Sequence, residues 1–146
     1  MTMRGTPHHA PDSMTAAAVA TARSWVIGAV VYALASLLVH SMTDSWATDQ
    51  RLESTEWRVF LLYLPAALYA FLATLAAAQL HPEPFRDQPA AHLLACLPVP
   101  VVAQLVSLLR HRGAGVEGQA APTVAMILGC LVAVAVDLRL STGTPD

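Results

Sequence analysis

Four apolar stretches, each long enough to cross a bilayer, dominate the chain: Trp25–Met42, Val59–Leu80, Ala91–Leu109 and Ala120–Val136. Charged residues fall almost entirely between them. A helical span takes about 20 mainly apolar residues, with roughly 17–25 the usual range. A soluble fold of this length cannot hide four such segments, because small domains leave much of their surface in water. The stretches also lack the polar stripe of a helix on a soluble surface. The chain therefore reads as an all-α integral membrane protein, a four-transmembrane-helix bundle with short loops. Its spans fall at about 24–42, 58–80, 91–109 and 120–138.

Composition agrees. Charged residues make up 12% of the 146, against about 25% in a soluble domain, and the mean hydropathy is +0.52. With a formal net charge of −2 and no basic face, nucleic acid is excluded as a partner. All eight basic residues are Arg, Lys and Asn are absent, and Ile occurs only at positions 27 and 127. The depleted residues use A- and T-rich codons, which points to a GC-rich bacterial genome and to the bacterial cytoplasmic (inner) membrane. Cys96 and Cys130 both lie inside spans, where a lone cysteine serves as a small hydrophobe rather than as part of a disulfide framework.

Residues 1–12, with His8 and His9, read as a disordered tail. Ser13 is a candidate N-cap, and Ala16–Ala22 extends the first helix outward to Arg23, whose side chain can reach water from the membrane edge. A signal-peptide cleavage site at Ala33-Leu34-Ala35 would cut the middle of the apolar run, so the first span is expected to be retained. The connection Thr43–Arg58 sets Asp44, Asp49, Glu53 and Glu56 against Arg51 and Arg58. Trp46 and Trp57 mark its ends and belong at one headgroup layer, with Asp49 or Ser54 placed to cap the next helix. His81–Pro89 holds three prolines and must end the second span. Three glycines make Arg110–Gly118 a flexible turn, and 141–146 forms a short polar tail.

Alternation puts both termini and the second connection on one side, with the first and third connections opposite. Arg4, Arg23, Arg86 and Arg139 then balance Arg51, Arg58, Arg110 and Arg112. Arg4 lies far from the first span, which favours the second set as cytoplasmic, whereas the long first loop favours both termini inside, the slightly preferred orientation.

Helices in lipid associate through small residues and a few polar contacts. In the fourth span Ala121, Ala125, Gly129 and Ala133 recur every four residues, and the same row ends at Asp137. Ala66, Ala70, Thr74 and Ala78 form a matching face on the second. The row aims Asp137 into the bundle, and an ion pair with Arg23 is the expected structural use of it. In the third span His92, Cys96, Pro100, Gln104, Ser107 and His111 fall within an arc of about 120° on a straight helix. Pro98 and Pro100 predict a kink there, because they remove backbone donors and clash with the preceding turn.

These considerations single out Asp137, Arg23, Gln104, His92, Pro100 and Gly129 as intramembrane polar or packing residues. No Gly-flanked serine elbow, mid-membrane acidic pair or His-x3-His motif occurs. The expected function is non-enzymatic: an accessory or assembly subunit that packs against a larger membrane protein or itself within the lipid bilayer. A small oligomeric transporter or channel using Gln104, Asp137 and the proline kink is the alternative. A membrane redox protein with haem between histidines comes third, but His40, His81, His92 and His111 lie at span ends, and no cofactor or metal is assigned.

Overall fold

A computed structural model describes residues 12–81, 88–110 and 116–142. It is all-helical over the described residues. Helix α1 covers Asp12–Trp46, followed by two short helices, α2 (Asp49–Leu52) and α3 (Thr55–Arg58). A π-helical segment, Val59–Tyr63, leads into α4 (Leu64–Gln79). Then come α5 (Pro89–Cys96), α6 (Pro98–Arg110) and α7 (Val116–Thr142).

Three stretches are long and apolar enough to cross a membrane: Met14–Trp46, Thr55–Gln79 and Gly118–Ser141. The α5–α6 pair passes the same test jointly but bends by 43° at its break. That break falls at Leu97, ahead of Pro98 and Pro100, where the missing amide donors predict it. The third apolar stretch is therefore two helices rather than one. The arc drawn for a straight helix holds only in part: His92, Cys96 and Pro100 are buried, Gln104 is half-buried, and Ser107 is exposed. His111 lies outside the described residues, as do residues 1–11 of the N-terminal tail, 143–146 of the C-terminal one, and most of the second and third connections.

Helix α1 is longer than its apolar core. Its 35 residues extend about 52 Å at about 1.5 Å per residue, well beyond a hydrocarbon core of about 30 Å. The Ala-rich run before Arg23 continues the helix, as its propensity favours. In the first connection Ser54 stands at the N-cap of α3 without a side-chain capping bond, and Thr48 rather than Asp49 precedes α2.

The centre of the fold is α4, whose most extensive contacts are with α7 and then α1. Ala66, Ala70, Thr74 and Ala78 are all buried, joined by Ala73 and Ala77. Facing them, Gly129 and Ala133 are buried on α7. A Cβ added at Gly129 would lie 2.9 Å from the Ala67 carbonyl carbon and 3.0 Å from its Cα, and closer still to the carbonyl oxygen. Here α7 lies against bare α4 backbone, an approach that only glycine permits. At Gly28, where α1 meets α4, an added Cβ would find Ala77 Cβ at an ordinary 3.4 Å.

Around this spine lie Met126, Cys130 and Ala70, with Tyr69 and Leu97 packed on them. The Thr74 hydroxyl donates to Cys130 Sγ at 3.4 Å. Tyr32 and Tyr69 meet edge to face at 5.0 Å. The large aliphatic side chains point outward instead, among them Leu34, Leu37, Leu38, Val102, Leu105, Leu128 and Leu131. Small residues inside with large apolar residues outside is the distribution expected where the surroundings are lipid.

Candidate functional site

Four helices bring polar side chains together at one end of the bundle. Ser24 comes from the first part of α1, Gln79 from the last residue of α4, His92 from α5 and Asp137 from the last turns of α7. His81 sits just past α4. The antiparallel course of the chain puts these positions at the same end. Asp137 lies four residues inside the end of the α7 apolar stretch at Ser141, about 6 Å, so it is buried near one end of that stretch rather than at its middle.

Asp137 is 1% exposed and His92 6%, which makes them a desolvated couple. His92 Nε2 stands 2.8 Å from Asp137 Oδ2, and the Gln79 amide donates to Oδ1 at 2.7 Å. Both carboxylate oxygens therefore have partners from other helices, a condition for tolerating a buried charge. Cys96 Sγ lies 3.8 Å from His92 Nε2, one helical turn along. The His81 and His92 rings lie 5.9 Å apart between centroids, tilted by 53°. The Ser24 hydroxyl donates to the Ala20 carbonyl at 3.2 Å, leaving its oxygen to accept from His81 Nδ1 at 3.3 Å. His92 Nδ1 is buried with no hydrogen-bond partner among the described residues.

Of the residues singled out from the sequence, Asp137 and His92 meet here. Pro100 is fully buried further along the same stretch, and Gly129 forms the close α4–α7 contact two turns before Asp137. Arg23 does not join them. It is exposed on α1, and Asp137 meets Gln79 and His92 in place of the expected arginine. The reason is helical phase: on α1 it is Ser24, the next residue, that faces inward. Gln104 lies elsewhere, donating to the Thr123 hydroxyl at 2.6 Å and tying α6 to α7. His40 is exposed near the opposite end of α1. Among the described residues no group of three or more His, Cys, Asp or Glu is arranged to hold a metal ion.

Sequence reading missed Gln79, Ser24 and Trp25. Gln79 had a detectable signal, since it is one of few polar residues at the end of an Ala-rich span. Trp25 had a subtler one. Pro98 has no N–H for the Leu94 carbonyl, its partner four residues back, and the Trp25 indole N–H donates to that oxygen at 2.9 Å. The kink is thus satisfied by a neighbouring helix.

At the opposite end, Arg51 lies over the rings of Trp46 and Trp57, 5.8 and 4.9 Å from their centroids. It also donates to the Trp46 carbonyl at 3.0 Å, while Arg58 Nε donates to the Leu52 carbonyl. A single guanidinium thus joins the two tryptophans.

No family model, curated protein or solved structure matches this chain.

Proposed function

We propose that the chain is a four-span protein of the bacterial inner membrane, with α5 and α6 forming one kinked span and both termini inside. It serves as a non-enzymatic assembly subunit, held laterally against a larger membrane protein or a second copy. The observation that carries this reading is the open outer surface of α1. In its most apolar window only 6% of residues are buried, against 28% in each of the other two long apolar stretches. That outer surface includes Ala22, Ala29 and Ala33 on one helical face, all exposed. Lipid tails are as apolar as leucine, so an outward row of small residues gains nothing from lipid but lets another helix approach closely.

The test is purification in mild detergent at native expression, with mass spectrometry of co-eluting proteins. A stoichiometric membrane partner, or a homo-oligomer lost on Ala29→Leu/Ala33→Leu, supports the reading. A monodisperse single copy insensitive to both substitutions refutes it.

The polar cluster favours a second reading, a small proton-coupled transporter. An Asp137–Arg23 pair would be a fixed ion pair, whereas Asp137 against His92 sets a carboxylate beside an imidazole, the side-chain pair from which proton relays in transporters are built. Under that reading Asp137→Asn abolishes a pH-dependent flux while protein abundance holds. Under the subunit reading it lowers abundance and no flux is found.

A further inference from the structure

We propose that the cleft between the π-helical segment and the first turns of α7 binds one membrane phospholipid. Its phosphate sits on Arg58 and Tyr63, and an acyl chain runs along α7. This inference needs the membrane location but not the assembly role.

The cleft is open to one side, has a volume of about 880 Å³, and its lining includes Arg58, Tyr63, Gly118, Ala121, Ala125 and Leu128. It begins where the small-residue row of α7 leaves α4. At Gly129 the two backbones touch, but one and two turns earlier Ala125 and Ala121 are only half-buried. The π-helical segment arranges the other wall. In an α-helix, residues five apart point in different directions, at about 140° to one another. In a π-helix the hydrogen bond runs between residues five apart, so such residues stack on one face. The Leu64 amide bonds back to the Val59 carbonyl in this pattern. Arg58 and Tyr63 are five apart and both line the cleft. The irregular turn thus puts Arg58 and Tyr63 on the same wall.

Chemistry and dimensions fit a phospholipid. Arg58 Nε is used by the Leu52 carbonyl, and the exposed terminal nitrogens present the fork that suits a phosphate. From Gly118 to Leu128 the cleft follows α7 for ten residues, about 15 Å. That is one leaflet of a hydrocarbon core about 30 Å thick. Arg58 and Gly118 lie within three residues of the ends of their apolar stretches, Tyr63 lies deeper, and the rest of the lining is apolar. Pro122 also leaves the Gly118 carbonyl without its helical donor, placing an acceptor at the rim. The two connections at this end nearly balance in charge, with Asp44, Asp49, Glu53, Glu56 and Glu117 against Arg51, Arg58, Arg110 and Arg112. A zwitterionic phospholipid with an ammonium beside its phosphate suits this rim better than an anionic one.

The test is native mass spectrometry of the full chain released from nanodiscs containing phosphatidylethanolamine, phosphatidylglycerol and diacylglycerol. One bound phosphatidylethanolamine is expected, with little phosphatidylglycerol and no diacylglycerol. Arg58→Gln should lower retention about tenfold, the scale of one lost charge-assisted hydrogen bond, with Arg58→Lys restoring part of it. Ala125→Leu, which fills the cleft and leaves Arg58 in place, should lower retention as much. Helicity and monodispersity serve as the folding control. Equal retention by all variants overturns the proposal, as does equal retention of diacylglycerol. Disulfide-linked dimers of Ala125→Cys would also overturn it by showing that a second copy closes the cleft.

Discussion

The two ends of the α4–α7 pair are built from the same row of small residues and come to opposite results. Toward the termini the row closes: Gly129 lies on the Ala67 backbone, Ala133 is sealed, and the row ends in Asp137 held by Gln79 and His92. Toward the first connection the row opens into a cleft beside Arg58 and Tyr63. Small residues allow close approach but do not compel it. At one end polar side chains reach across from neighbouring helices, and at the other the α7 row faces a π-helical turn that lines an open cleft. Packing in this bundle is decided by the few polar and irregular positions.

The sharpest way to break this comparison is at its midpoint. Gly129→Ala puts a Cβ into the Ala67 backbone, which has no side chain to move aside, and should cost about 3 kcal/mol, the upper range for overpacking. Gly28→Ala meets only an ordinary contact with Ala77 and should fall within about 0.5 kcal/mol of the parent. Reversible unfolding in detergent measures both. Equal effects would show that the α4–α7 approach is not the tight one.

The closed end comes next. His92→Leu removes the Oδ2 partner of the buried Asp137 carboxylate, whose Oδ1 keeps Gln79, and should cost about 2–3 kcal/mol, below the range for a broken buried pair because other partners remain. His92→Leu with Asp137→Leu should recover most of that loss in the same unfolding assay. No recovery would mean the pair is not a pair. Trp25→Phe leaves the Leu94 carbonyl without its donor and should cost about 1–2 kcal/mol. A smaller loss would indicate that the kink finds another donor. The smallest effect belongs to the open end, where Ala125→Leu should change stability by less than about 0.5 kcal/mol. A loss comparable to that of Gly129→Ala would mean the cleft is closed in the membrane.

Much of this was legible in the chain. Four-residue spacing of Ala, Gly and Thr identified the facing surfaces of α4 and α7, because that periodicity survives in any straight helix. Pro98 and Pro100 announced the break at Leu97, because a missing amide is a local fact. The partner of Asp137 was not legible. Choosing between Arg23 and His92 required the rotation of α1 and the tilt of α5, both set by packing between helices. Arg23 and Ser24 are adjacent, and one residue of phase turns the guanidinium outward and the hydroxyl inward. The alignment of Arg58 with Tyr63 was hidden for a related reason. It exists only because the turn between them is π-helical, and an apolar Val-Phe-Leu-Leu-Tyr run carries no mark of that.

A double-mutant cycle on His92→Gln and Asp137→Asn, read by unfolding in a lipid-like detergent, tests most directly the claim that a cross-helix polar joint locks the terminal end. A coupling of at least about 1 kcal/mol is expected for partners in contact. Additivity to within about 0.3 kcal/mol, the behaviour of independent sites, would contradict it.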